Sequence, residues 1–164
     1  GSQQVVDLSA GHAHSLCVTK DGTVYAWGWN LDGQCSFENE EKIYHPREIT
    51  FPREKNQGDR MFSGKAVSGG YSHSLVLLED LQQQASMVVA FGCNRYGQCG
   101  QDKKVVNSRL PTRLNLREDE SVVDVIAGDR SSFLQLSTGS LLSFGLNNFG
   151  QLGLSSKEMV VWEP

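Results

Sequence analysis

One unit is written three times along this chain, and no other property of the sequence constrains its fold as strongly. The first copy, VVDLSAGHAHSLCVTKDGTVYAWGWNLDGQC, runs from Val5 to Cys35. The second, KAVSGGYSHSLVLLEDLQQQASMVVAFGCNRYGQCG, runs from Lys65 to Gly100, and the third, VVDVIAGDRSSFLQLSTGSLLSFGLNNFGQLG, from Val122 to Gly153. Gly11, Gly70 and Gly128 correspond, which sets the copies 59 and 58 residues apart. A second anchor is the aromatic-glycine pair Trp27-Gly28, Phe91-Gly92 and Phe144-Gly145. Each pair is followed by Asn two residues on, by Gly-Gln, and later by a proline: Pro46, Pro111 and Pro164.

Each copy reads as strands. The stretch before the first glycine is rich in Val, Ile and Ala, and Leu16 and Val18 then alternate with Cys17 and Thr19 up to Asp21-Gly22. Asp-Gly between two such runs marks a tight hairpin, because both central residues of that turn need positive φ. Thr138-Gly139 takes the same place in the third copy, whereas in the second the polar segment Glu79 to Ser86 reads as a longer surface excursion. Beyond the Gly-Gln turn, PREITF and PTRLNL each read as a fourth strand that starts at its proline, where no ladder donor is lost. The expectation is an all-β chain of up-and-down antiparallel strands, four per copy, without amphipathic helix.

Repeated four-stranded units of this length suggest propeller blades, since one blade alone cannot cover both of its faces. The pattern AGxxHS, then aromatic-Gly-x-Asn-x-x-Gly-Gln, then Pro resembles the repeat of the regulator of chromosome condensation family across nearly the whole chain. The third copy departs with Ser131 where the others have His14 and His73. The first two depart with Cys35 and Cys99 where the family favours leucine, as at Leu152. The resemblance implies a seven-bladed propeller, of which three blades are here: 3–63, 64–121 and 122–164, the last incomplete, with residues 1–2 a tag remnant. Three blades do not close. Either the chain belongs to a longer propeller, or it self-associates through its open blade edges, three plus three.

Charge narrows the partners. Fifteen Lys and Arg against nineteen Asp and Glu leave a net charge of −4, and domains that bind duplex nucleic acid through phosphates are usually basic. No apolar run approaches the ~20 residues of a membrane helix. Four cysteines without an Asn-X-Ser/Thr site suit a reducing compartment, so a cytoplasmic or nuclear protein is expected.

No catalytic constellation is legible, and no cofactor or metal is expected. The G-x-x-x-x-G-Q turns lack the Lys and Ser/Thr of a phosphate-binding loop and read as turns whose Asn and Gln satisfy backbone groups. His12, His14 and Cys17 do not have zinc spacing, and His14 is expected to bond a carbonyl within its own blade. In an up-and-down blade the loop at Gly11, Gly70 and Gly128 opens on the same rim as the Gly-x-Asn-x-x-Gly-Gln loop. Framework residues recur there, while the variable ones are free to meet a partner. They are His12, Tyr71, Asp129 and Arg130 in one loop set, and Trp29, Arg95, Tyr96 and Phe149 in the other.

The resemblance admits several activities on one scaffold: exchange on Ran-type GTPases with histone docking, UV-B sensing, and partner recognition in ubiquitin ligases and kinases. UV-B sensing is set aside, because the family's sensing tryptophans occupy positions where this chain has His12-Ala13, Tyr71-Ser72 and Asp129-Arg130. A non-enzymatic protein-interaction module is the leading expectation, its partner a small GTPase, a ubiquitin-pathway protein or another regulator. Guanine-nucleotide exchange is the alternative.

Overall fold

The computed structural model describes residues 3–51, 62–83, 85–117, 119–155 and 157–164. Gly1 and Ser2, read above as a tag remnant, lie outside them. The described residues form three four-stranded sheets, each a simple antiparallel meander. The first holds β1 (Val5–Ala10), β2 (His14–Thr19), β3 (Val24–Trp29) and β4 (Lys42–Glu48). The second holds β5 (Phe62–Gly69), β6 (His73–Asp80), β7 (Ala85–Cys93) and β8 (Asn107–Arg113). The third holds β9 (Val122–Ala127), β10 (Ser131–Leu136), β11 (Leu141–Leu146) and the short β12 (Val160–Val161). The all-β blades expected from the repeat are the fold observed, and no helix among the described residues is long and apolar enough to cross a membrane.

Period-two alternation divides the strands of the middle sheet between two interfaces, and those of the first and third sheets between one interface and an outer face. Leu16, Val18, Val24 and Ala26 of the first sheet meet Val67, Val76, Leu78, Val89 and Phe91 of the second in one core. Leu75, Leu77, Val88 and Ala90, the intervening residues of the second sheet, meet Val125, Leu134, Leu136 and Phe144 of the third in another. The middle sheet is therefore apolar on both faces, which is why its sequence runs as nearly unbroken hydrophobic stretches at Leu75 to Leu78 and Val88 to Phe91.

Two local expectations are corrected. The fourth strands lie earlier than PREITF and PTRLNL, and Pro46 and Pro111 fall inside β4 and β8 rather than at their starts. The register explains how. Gly28 pairs with Ile43 but Ala26 with Arg47, and Gly92 pairs with Ser108 but Ala90 with Thr112, so each proline sits in a bulge on an outermost strand that needs no donor there. The excursion at Glu79 to Ser86 is also shorter than expected, because β6 and β7 stay paired out to Asp80 and Ala85.

Candidate functional site

The rim that carries the candidate residues is held by its own recurring polar side chains. Asn30 donates to the Phe37 and Glu40 carbonyls, both at 2.6 Å, while its Oδ1 accepts the Cys35 amide at 2.9 Å. Asn94 and Asn147 repeat this, accepting the Cys99 and Leu152 amides at 3.0 and 3.1 Å. Gln34, Gln98 and Gln151 each accept the amide two residues earlier, from Asp32, Tyr96 and Phe149. The Gly-Gln turns are thus backbone-satisfying frameworks, as read from the sequence. They are fastened to the Gly11-type loops by Trp29 N–H to Ala13 O, Cys93 N–H to Ser72 O and Leu146 N–H to Arg130 O, at 2.7 to 2.8 Å. These bonds bring both loop sets to one rim. Gly28, Gly92 and Gly145 permit them, since each has φ near +105° and an added Cβ at Gly28 would lie 2.6 Å from Ala13 O.

Beneath the rim the sheets are latched by histidine and serine, and here the own-blade carbonyl expected for His14 is replaced. His14 Nε2 meets Ser74 Oγ of the second sheet at 2.9 Å, and Ser74 Oγ donates back to Gln34 O of the first at 2.7 Å. The unit recurs one boundary on, His73 Nε2 to Ser132 Oγ at 2.9 Å and Ser132 Oγ to Gln98 O at 2.7 Å. Because each hydroxyl spends its proton on a carbonyl, the imidazole must be the donor, which fixes the Nε2–H form. Nδ1 of both rings is buried without a hydrogen-bond partner among the described residues. Burial lowers the His14 pKa to about 4, and burial reinforced by the neighbouring His14 lowers that of His73 to about 3. Both imidazoles are neutral in the fold.

Four of the candidate residues meet across all three sheets. The His12 and Tyr71 rings stack with centroids 4.2 Å apart and planes 14° from parallel. The Arg130 guanidinium lies 6.0 Å from the Tyr71 centroid and 5.0 Å from that of Tyr96, and Asp129 pairs with it at 3.5 Å. The result is a ladder of one histidine, two tyrosines and an arginine, of which Tyr71 is 44% exposed. Arg95 is exposed beside Tyr96 in sequence. Trp29 stands apart, half-buried on β3 with Lys42 Nζ 5.4 Å from its ring, and Phe149 is exposed in the turn that follows β11.

One rim contact escaped sequence reasoning. Arg109 reaches from β8 to the Leu31 carbonyl of the first sheet at 2.7 Å, and Asn107 reaches Asp32 at 3.2 Å. Only the recurrence of a strand at that offset could have signalled it. His12, His14 and Cys17 go to three places: the rim, the latch and the outer face of the first sheet. Cys35 and Cys99 are fully buried, and desolvation pushes the Cys35 thiol up to about 12 and that of Cys99 well above its ordinary value.

The chain is 34% identical over 158 residues to human HERC6, named a probable E3 ubiquitin-protein ligase, covering 96% of this chain and 14% of that one. It is 32% identical to the RCC2 homolog of Xenopus laevis, covering 93% of this chain and 28% of that one. Among solved structures, human WBSCR16 superposes with a TM-score of 0.82 at 27% identity, over all of this chain and 41% of its own. Yeast RCC1 (Prp20), solved with Kap60, gives 0.79 at 22% identity over 37% of its length, a likeness of fold alone. The chain thus spans well under half of each relative. Sequence profiles of the regulator of chromosome condensation (RCC1) repeat match residues 5–34, 21–77 and 87–135, and with the repeated turns and latches described above they place this chain in the regulator of chromosome condensation repeat family.

Proposed function

We propose that this chain is a protein-interaction module that acts by binding rather than catalysis, and that it docks its partner on the rim carrying His12, Tyr71, Tyr96 and Arg130. The ladder carries the reading. Its residues occupy the variable positions of three successive repeats, they are held by frameworks that need none of them, and tyrosine and arginine are prominent among residues that dominate protein interfaces. Arg95, Asp129, Trp29 and Phe149 flank or extend this face. The likeness to HERC6 supports a partner in the ubiquitin pathway, and four buried free thiols support the cytoplasm or nucleus. Nucleotide exchange on a small GTPase is the second reading, and no feature of this chain favours it.

Combined Tyr71→Ala, Arg95→Ala and Arg130→Ala should cut partner retention at least tenfold, with each change costing no more than about 0.5 kcal/mol of stability, as is usual for surface positions. Retention unaffected by these changes, but lost on changing Asp21, Gln83 and Thr138, would move the docking face to the opposite rim. Faster nucleotide release from one GTPase in a panel, at sub-stoichiometric amounts of the protein, would replace the adaptor reading with the exchange reading.

A further inference from the structure

The loops that leave the docking rim carry charge of opposite sign, and only one sign is answered from within the chain. Residues 30–41, which join β3 to β4, hold Asp32, Glu38, Glu40 and Glu41 and no lysine or arginine. Bases from other segments meet this loop. Arg47 donates to both oxygens of Glu40, Arg109 donates to the Leu31 and Glu38 carbonyls, and Asn107 reaches Asp32.

Residues 94–106, which join β7 to β8, have the reverse composition: Arg95, Lys103 and Lys104 against Asp102 alone. Asn94 pins the loop by donating to the Gln101, Asp102 and Val105 carbonyls, so these bases are held at the rim rather than on a loose tether. Asp102 spends its Oδ1 on the Lys104 amide at 2.8 Å. Arg95, Lys103 and Lys104 are exposed, and none has an ion-pair partner among the described residues. Tyr96 links this loop to Arg130, whose guanidinium lies over the Tyr96 and Tyr71 rings. Asp129 stands at its Nε, 3.5 Å away, and the two terminal nitrogens donate to nothing among the described residues.

In a chain of net charge −4, cations left unanswered on one face mark where a partner supplies the anions. We propose that the partner docked on this rim presents a carboxylate-rich protein segment, laid over the second sheet between Arg130 and Lys103-Lys104; this rests on the docking rim named above. A guanidinium steadied by two rings with both terminal nitrogens free suits a carboxylate, which takes two parallel N–H donors. Single-stranded nucleic acid suits the rim less well. Bases need open ring faces, and the Tyr71 ring already stacks on His12 and faces Arg130. The preference for acid is therefore local and runs against the charge of the whole chain.

Fluorescence anisotropy of labelled decapeptides, alternating Glu-Ser or Lys-Ser, reads that preference on the 164-residue chain at low ionic strength. The Glu-Ser peptide should bind about tenfold tighter, although net charge alone would favour the Lys-Ser peptide. Arg95→Glu with Arg130→Glu should abolish the preference. Lys20→Glu with Arg117→Glu makes the same change of net charge at the opposite rim, beyond the ends of β2 and β8, and should leave the preference within about twofold. A wild type that favours the Lys-Ser peptide or neither, an oligothymidylate of equal length that binds tighter than the Glu-Ser peptide, or an opposite-rim pair as costly as the rim pair would each overturn the proposal. Should the Arg130 variant not fold, Lys103→Glu with Lys104→Glu takes its place and should abolish the preference in the same way. The peptides stand in for the partner, so partner retention lost in the alanine variant without an acidic preference would keep the rim and reject only the carboxylates.

Discussion

Protonating His14 or His73 would charge a buried ring, which is why burial lowers their pKa values, and neither Nδ1 has a hydrogen-bond partner among the described residues. The folded values lie below the unfolded one of 6.5, so the unfolded chain takes up protons first as the pH falls. Stability is therefore full above 6.5 and is lost below it, levelling only under about 4 for His14 and about 3 for His73. Between pH 7 and pH 5, where few carboxylates titrate, linkage puts the loss at about 2 kcal/mol for each imidazole. Urea midpoints at the two pH values should show it, and His73→Gln should remove roughly half of the pH dependence. A wild-type midpoint that did not move would mean the rings are not buried neutral. The recurrence of His-Ser in the first two copies disclosed a structural role for these residues. It did not disclose that the partner is the next sheet, because a hydrogen bond across about 60 residues leaves no local pattern.

At the scale of the single strand, the aromatic-glycine pairs carry the sharpest requirement. Gly92 has φ +105°, and an added Cβ would run into the Ser72 carbonyl, whereas Gly139, at φ +85° in its hairpin turn, has nothing among the described residues within 4 Å of such an atom. Gly92→Ala should therefore cost more than about 2 kcal/mol, and Gly139→Ala only about 1 kcal/mol, the difference being collision rather than backbone strain. Thermal or urea unfolding of the two variants side by side is the check, and equal losses would refute the collision. The first three strands of each copy were legible because alternation and turn residues mark them. The fourth strands were misplaced because proline was read as a boundary. In β4 and β8 a bulge accommodates it three residues past Ile43 and Ser108, and bulges follow from pairing rather than from composition.

Across the whole molecule, the docking rim was half legible. The repeat separated framework from variable positions, which nominated His12, Tyr71, Tyr96 and Arg130, but that these four touch depends on how successive sheets are set against one another. Phe149, at the loop position of Tyr96, lies outside the ladder because that position meets different neighbours in the second and third sheets, and Trp29 stands at another position, that of Cys93 and Leu146. The bulged prolines have a consequence of another kind. An outer strand with a full row of amide donors would be a template for fibril growth, each new chain adding its strand edge to edge. Pro46 and Pro111 remove a donor from the outer strand of two sheets, and the bulge around each breaks the straight run that a template needs. Valine at both positions should shorten the lag before thioflavin fluorescence rises at constant protein concentration, and an unchanged lag would show that the prolines do not guard this edge. In the native chain, lengthening from β4 and β8 is hindered while the sheet faces stay free to pack, so a molecule made of repeated strands can stack blade on blade without those two edges seeding amyloid.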